Sequence, residues 1–253
     1  FSFAQDFNVG EQTINYFDNS RNRQIKAEIW YPTFEIDSLL QRRTDLPFQL
    51  PPTIRDAKLI EESFPLIVIS HGTGGNRFSL AWLAIELTKS GYIVVAPDHW
   101  GNTYDNKIPD YFVRYWDRPE DISFLLTTML ADESINSSID KTKIGMMGFS
   151  LGGYTTLAIA GAQVDCELIK ERAKTKEGKK EFTIPELGDL RKLIYEINCD
   201  EIPTTFKDDR FKVFVAMAPA LGLGMPNEKH NIKEPVLIIG ANNDKVAPIK
   251  SNA

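Results

Sequence analysis

The pattern of hydrophobic and polar positions predicts strands that alternate with helices along the chain. Four of six strand-like segments are almost entirely apolar, which is typical of strands covered on both faces. The fold class predicted is therefore α/β, with a mostly parallel sheet flanked by helices. The six segments are IKAEIWYP (25–32), PLIVISHG (65–72), YIVVAPDH (92–99), KIGMMGF (143–149), FKVFVAMAP (211–219) and PVLIIGA (235–241).

Helical patterns fill the intervals between these strands. SLAWLAIELTKS (79–90) ends at a glycine, and PEDISFLLTTMLA (119–131) begins with a proline suited to a first turn. We expect one domain over residues 1–253.

Residues 165–210 interrupt this rhythm and are predicted to be an insertion. The charged run KERAKTKEGKKE (170–181) is typical of a solvated helix and loop, with a partner site as the alternative. IPELGDLRKLIYEI (184–197) predicts a second helix with an apolar stripe. We expect the insertion to form a helical lid or cap over the carboxyl edge of the sheet.

Composition narrows the function without specifying it. The chain has 253 residues, 42% of them hydrophobic, and a net charge of −6, which argues against nucleic acid and anionic membranes as partners. The net charge does not exclude small neutral molecules as substrates. The longest apolar run, 213–225, is shorter than a membrane span and is broken by Pro219.

The first residues and the cysteines bear on the compartment. Ser2 and Ala4 have the small-residue spacing of a signal-peptidase site that would leave Gln5 first, although an arbitrary start explains the same residues. Cys166 and Cys199 form one disulfide if the compartment is oxidising, or are two buried thiols. A signal-peptidase site and a disulfide would both indicate a secreted or periplasmic protein, which is the localisation predicted.

Ser150 is the leading candidate for a nucleophile. It lies in GFSLGG, a G-x-S-x-G pattern with a buried apolar strand before it and an alanine-rich helix after it. The turn is so tight that side chains at Gly148 or Gly152 would collide with backbone, and it lifts the hydroxyl above the sheet. The alternative is that Ser150 is only a helix cap.

SHGTGGNRF (70–78) supplies a candidate oxyanion hole directly after a buried strand. Glycine-rich backbone can bring amide donors close to a developing oxyanion, and each such donor contributes roughly 3–4 kcal/mol in the transition state. We expect the amides of Thr73 and Leu151 to act together. His71 is better suited to holding this loop by hydrogen bonds than to acting as the base.

Asp244 is the candidate triad acid. It lies in GANNDKVAPIK (240–250), a few residues after the last apolar strand, from where a carboxylate could orient an imidazole. Aspartate in a turn also occurs for conformational reasons alone. Asp98 competes for the role, but with His99 it is better placed to brace the loop floor.

Five stretches together resemble the α/β-hydrolase superfamily: WYP, SHGTGG, GYIVVAPDHWGNT, GFSLGGYTTLAIAGA and GANNDKVAPIKSNA. They resemble in particular bacterial dienelactone-hydrolase-like proteins related to platelet-activating-factor acetylhydrolase. This resemblance implies a serine esterase fold in which Ser150 is the nucleophile, Asp244 the acid, and the Thr73 and Leu151 amides the oxyanion hole. Dienelactone hydrolases have cysteine at the position of Ser150, and animal acetylhydrolases carry their acid after the preceding strand.

The function predicted is hydrolysis of a small carboxylic ester through an acyl-serine intermediate, with no metal and no organic cofactor implied. Aromatic residues in YDNKIPDYFVRYW (104–116) are candidates for a substrate pocket or for core packing. Two alternatives stay open. One is an acyltransferase or serine peptidase of the same fold, and the other is a non-catalytic, hydrolase-like binding protein.

The base of the triad is missing from the sequence pattern. The order Ser, Asp, His requires a histidine after Asp244, but His71, His99 and His230 all precede it. His230 lies before the last strand and is expected at the opposite edge of the sheet from Ser150. We therefore expect the catalytic histidine beyond residue 253, in a domain that is incomplete at its C-terminus, and very poor ester hydrolysis by residues 1–253 alone.

Overall fold

The computed structural model describes residues 7–36, 50–226, 231–244 and 247. The predicted signal-peptidase site and His230 lie outside these ranges. The strands are β1 (Asn8–Asp18), β2 (Arg23–Thr33), β3 (Ile54–Arg55), β4 (Phe64–Ser70), β5 (Ile93–Pro97), β6 (Ile139–Phe149), β7 (Thr183–Ile184), β8 (Gly188–Asp189), β9 (Val213–Met217) and β10 (Val236–Ile239). The helices are α1 (Ala81–Lys89), α2 (Pro109–Val113), α3 (Asp117–Ala131), α4 (Leu151–Ala160), α5 (Cys166–Ala173), α6 (Lys176–Glu181) and α7 (Arg191–Glu196).

Eight strands form one sheet in the order β10-β9-β6-β4-β5-β2-β1-β3. The five strands from β10 to β5 run parallel to one another, whereas β2 is antiparallel to β5 and to β1. The prediction of a mostly parallel sheet flanked by helices is confirmed. Strand β1, in which polar and apolar residues are interspersed, was not among the predicted strands.

Helices cover both faces of the sheet, which explains the continuous apolar strands. In β4, Leu66 and Val68 pack into the cluster that contains α3, while Ile67 and Ile69 pack with α1. Because neighbouring side chains of a strand point to opposite faces, the four central positions of β4, Leu66 to Ile69, are all apolar.

One prediction about secondary structure was wrong. Residues 184–197 are not one helix: β7 and β8 form a short antiparallel hairpin there, and α7 is confined to Arg191–Glu196. Gly188, the first residue of β8, takes a φ of +79°, a conformation that interrupts a right-handed helix. The predicted strand at 235–241 is present as β10 at the edge of the sheet, where Leu237 and Ile239 are about half exposed within the described structure.

The insertion is cross-linked internally by a disulfide, and it packs against residues of the central domain. Cys166, the first residue of α5, forms a disulfide with Cys199, which decides between the two alternatives for the cysteines. Apolar residues of the insertion pack in one cluster with Tyr115 and with Tyr154 of α4. The insertion therefore lies beside the end of the sheet at which α4 begins.

Candidate active site

Ser150 occupies a strained turn between β6 and α4. Its backbone has φ 55° and ψ −118°, a combination that costs a non-glycine residue about 1–3 kcal/mol. Two hydrogen bonds hold the turn: the Ser150 N–H donates to the Met217 carbonyl at 2.9 Å, and the Ala220 N–H donates to the Ser150 carbonyl at 3.1 Å.

The two glycines of the motif are required by close approach of backbone. A Cβ atom on Gly148 would lie 2.1 Å from the Gly152 carbonyl oxygen, and one on Gly152 would lie 2.0 Å from the carbonyl oxygen of Ser70. Both distances are far below van der Waals contact, so larger residues would force the strand and helix apart.

The Ser150 side chain does not cap α4. It makes no capping hydrogen bond, although Ser150 holds the N-cap position. Instead it lines a cavity of about 80 Å³. The simple helix-cap interpretation of this serine therefore does not describe the structure.

Leu151 and Thr73 also line this cavity, and their backbone amides are the predicted oxyanion donors. Within the described structure, neither N–H donates to another protein group. Leu151 is the first residue of a ten-residue helix, whose N-terminal dipole adds to the attraction for negative charge. The Thr73 loop lies close by, because a Cβ on Gly72 would meet the Ser150 Cβ at 3.2 Å.

Backbone groups on either side of Thr73 hydrogen-bond to side chains outside the loop and hold it in place. The Gly74 N–H donates to Asn102 Oδ1 at 2.9 Å, and Arg118 donates from Nη2 to the His71 carbonyl. Burial lowers the pKa of Arg118 to about 9, which leaves it charged at neutral pH.

His71 braces the same loop and does not face Ser150. Its Nδ1–H donates to the Gly72 carbonyl at 2.7 Å, and its Nε2 accepts the backbone N–H of His99 at 3.2 Å. Burial, reinforced by the charge of Arg118, lowers the pKa of His71 to about 3. Both ring nitrogens are committed, so this imidazole has no free atom with which to take a proton from Ser150.

Asp98 and His99 are likewise engaged away from Ser150. Asp98 accepts the Arg77 backbone N–H at 2.7 Å and forms an ion pair with the same guanidinium at 2.5 Å. His99 contacts Ser70 and Asp121, and its burial holds its pKa well below the usual value.

Asp244 follows β10 in a short turn. Its Oδ1 accepts the backbone N–H of Ala247 at 2.9 Å, and Ala247 lines the cavity beside Ser150. The carboxylate thus lies in a turn that reaches the cavity wall, and it also stabilises that turn.

No histidine of the described residues is placed to serve Ser150. His71 and His99 are both held by other groups, and His230 lies outside the described residues. The histidine expected beyond residue 253 lies outside the described residues.

The cavity is mostly apolar, and its walls come from two parts of the chain. Phe112, Val113 and Tyr115 come from the segment that the sequence offered as a pocket or as core, and they line the cavity. Phe182, Ile184 and Leu190 come from the insertion. Glu181 is the charged residue of the lining, and its carboxylate is paired with Arg172 at 3.0 Å.

The described residues contain no group of three or more His, Cys, Asp or Glu side chains that could hold a metal ion. In the same ranges, no helix combines the length and apolar character needed to cross a membrane.

The sheet order, the strained serine turn and the glycine-rich loop are those of the α/β-hydrolase fold, and the resemblance found in the sequence is confirmed by the comparisons. The family model of platelet-activating factor acetylhydrolase, isoform II, matches residues 44–108. The structure of a ferulic acid esterase from Streptomyces cinnamoneus aligns with a TM-score of 0.59 and 20% identity, over 94% of this chain and 66% of that chain. That likeness concerns the fold.

Curated relatives include several cutinases. Cutinase est1 and cutinase est2 of Thermobifida alba are each 32% identical over 105 residues, which cover 41% of this chain and 32% of each relative. A cutinase of Thermobifida fusca (strain YX) is 30% identical over the same length, covering 32% of that relative. The chain thus spans about a third of the length of these relatives.

Proposed function

We propose that the protein is a serine hydrolase that cleaves carboxylic esters through an acyl-serine intermediate. The observation that carries this proposal is the position of Ser150. Its side chain makes no capping hydrogen bond, although it lies on a strained turn at the start of a helix, and it lines an apolar cavity beside two residues whose amides have no protein partner in the described structure. This arrangement offers a nucleophile and a pair of oxyanion donors at the same point.

In the reaction, Ser150 Oγ attacks the ester carbonyl carbon and loses its proton to a general base. The carbonyl oxygen becomes an oxyanion and accepts hydrogen bonds from the Thr73 and Leu151 amides. The bond to the alcohol then breaks, the base returns the proton to the departing alcohol, and water releases the acid and regenerates the serine. Asp244 would orient the imidazole base, which lies outside the described residues.

The comparisons support an ester as the substrate class. The relatives are cutinases, the structural neighbour is a ferulic acid esterase, and the matched family model is that of an acetylhydrolase. The cavity, with mainly apolar walls, suits the acyl or alcohol part of a small neutral ester.

Two further assignments belong to this proposal. Residues 165–210 act as a cap of one α/β-hydrolase domain, because Phe182 and Leu190 of this insertion form part of the cavity wall. The protein is exported to an oxidising compartment, because the Cys166–Cys199 disulfide would be reduced in most cytosols.

The test combines labelling and turnover. In a form of the protein that includes the triad histidine, an organophosphonate should label Ser150, and short-chain nitrophenyl esters should be hydrolysed faster than matched peptide amides. Ser150→Ala should abolish labelling and lower turnover by on the order of a millionfold when the triad is complete. Ser134→Ala, a change at an exposed serine that hydrogen-bonds only within its own turn, is the control. Amide cleavage faster than ester cleavage, or a loss below tenfold in Ser150→Ala, would contradict the proposal.

A further inference from the structure

A hydrogen-bonded series of Ser, His and Asp side chains, here called the buried chain, lies behind the Thr73 loop. Ser70 Oγ is 2.9 Å from His99 Nε2, and His99 Nδ1 is 3.0 Å from Asp121 Oδ2. The order of groups is that of a catalytic triad, but all three residues are at most 1% exposed. No substrate can reach Ser70, so this chain has to act through its neighbours.

The donors and acceptors of the buried chain are mutually consistent. Arg21 approaches the carboxylate of Asp121 at 2.8 Å, and Arg23 approaches it at 3.6 Å. The carboxylate can then accept the Nδ1–H of His99, which leaves Nε2 to accept the Ser70 hydroxyl. The Ser70 oxygen in turn accepts Nη2–H of Arg118 at 3.4 Å.

This chain ends at the oxyanion loop. Ser70 is the last residue of β4, is paired with Gly148 of β6, and immediately precedes His71. His99 also donates its backbone N–H to His71, and Arg118 donates to the His71 carbonyl. The loop is therefore attached to the buried chain through its first residue, Ser70, which precedes Thr73 by three residues.

We propose that Ser70, His99 and Asp121 are positioning residues that hold the Thr73 amide in the oxyanion hole. This inference rests on the proposed function. None of the three touches the cavity, so they act on the geometry of the transition state and not on substrate binding. A misplacement of about 1 Å can cost about a hundredfold in rate, and Gly72 already packs directly against Ser150.

The first experiment compares Ser70→Ala with Ser138→Ala. Ser138 is also buried and also donates a hydrogen bond, to the Ile60 carbonyl, but it lies at the start of β6, at the opposite end of the sheet. We expect Ser70→Ala to lower kcat by about 10- to 100-fold with KM within twofold, and Ser138→Ala to change neither. Equal kcat in the two variants, or an effect of Ser70→Ala confined to KM, would overturn the proposal.

A second experiment measures the loop without turnover. Amide hydrogen exchange of residues 71–75 should accelerate at least tenfold in Ser70→Ala and stay unchanged in Ser138→Ala. Unchanged exchange in Ser70→Ala would overturn the positioning role. If the unaltered protein neither hydrolyses esters nor accepts the phosphonate at Ser150, the proposed function fails, while this measurement still tests the loop.

A third variant pair separates the hydrogen bond of Asp121 from its charge. Asp121→Asn keeps an oxygen that can accept the His99 Nδ1–H, whereas Asp121→Ala keeps none. We expect kcat of Asp121→Asn to lie within about tenfold of the unaltered protein and well above that of Asp121→Ala. If both variants lose kcat equally, His99 is not oriented by this hydrogen bond and the proposal is overturned.

Discussion

Removing the disulfide should destabilise the protein measurably. The bond closes a loop of 33 residues between Cys166 and Cys199, and this loop contains the cavity residues Phe182 and Leu190. The chain-entropy relation for a closed loop of this length gives about 3–4 kcal/mol of stabilisation through the unfolded state. We expect Cys166→Ala combined with Cys199→Ala to lower the free energy of unfolding by that amount.

The assay is urea unfolding followed by fluorescence and by ester hydrolysis in parallel. Because the 33-residue loop forms one wall of the cavity, we expect activity in the double variant to disappear at lower urea than the fluorescence transition. In the unaltered oxidised protein the two transitions should coincide. The reduced protein, with both cysteines retained, serves as the control, since it loses the cross-link without any change of side-chain volume.

Two results would refute this reasoning. A loss below about 1 kcal/mol would mean that the unfolded chain is not constrained as the loop length implies. Coincident transitions in the double variant would mean that the loop unfolds with the sheet and is not a separate cap.

Three further predictions concern the serine turn, its loop and the cavity. Gly152→Ala should yield little folded protein, because its Cβ would lie 2.0 Å from the Ser70 carbonyl oxygen; expression and circular dichroism test this. Burial lowers the pKa of His71 from 6.5 to about 3, so the unfolded state alone takes up this proton below pH 6.5. Stability should therefore be unaffected by His71 above pH 6.5 and should fall as pH drops towards 3, by up to about 1.4 kcal/mol per pH unit. Thermal unfolding of His71→Asn should show a shallower pH dependence by that amount and keep the part that comes from the buried His99. Phe182→Ala should enlarge the cavity and raise kcat/KM for longer acyl chains relative to acetyl esters, measured on a series of nitrophenyl esters.

The serine turn could be predicted from sequence because its determinants are local. Strand, turn and helix follow one another within 139–160, and the spacing of Gly148 and Gly152 reflects contacts inside that segment and with one neighbouring strand. The parallel sheet was predictable for a similar reason, since burial on two faces makes a strand apolar at every position.

The helix predicted over 184–197 shows where such reasoning stops. Its apolar stripe is real, and Leu190 and Ile194 are buried. A hairpin followed by a short helix gives the same stripe, since Leu190 and Ile194 lie in one apolar cluster with residues of α2 and α4. Periodicity identified the residues that face the core, but the path of the backbone depended on the turn at Gly188.

The buried chain of Ser70, His99 and Asp121 could not be predicted from any stretch of sequence. Ser70 and Asp121 are 51 positions apart, and they meet because β4 and β5 are adjacent parallel strands whose carboxyl ends lie at one edge, beneath α3. In the sequence Ser70 reads as the end of a strand and Asp121 as a polar position in the first turns of a helix. Only the strand order brings these two ordinary positions together through His99, which is why the sequence pattern points to Ser150 as the candidate nucleophile and to His99 as a brace of the loop, but leaves out Ser70 and Asp121, which we propose to help position the Thr73 amide.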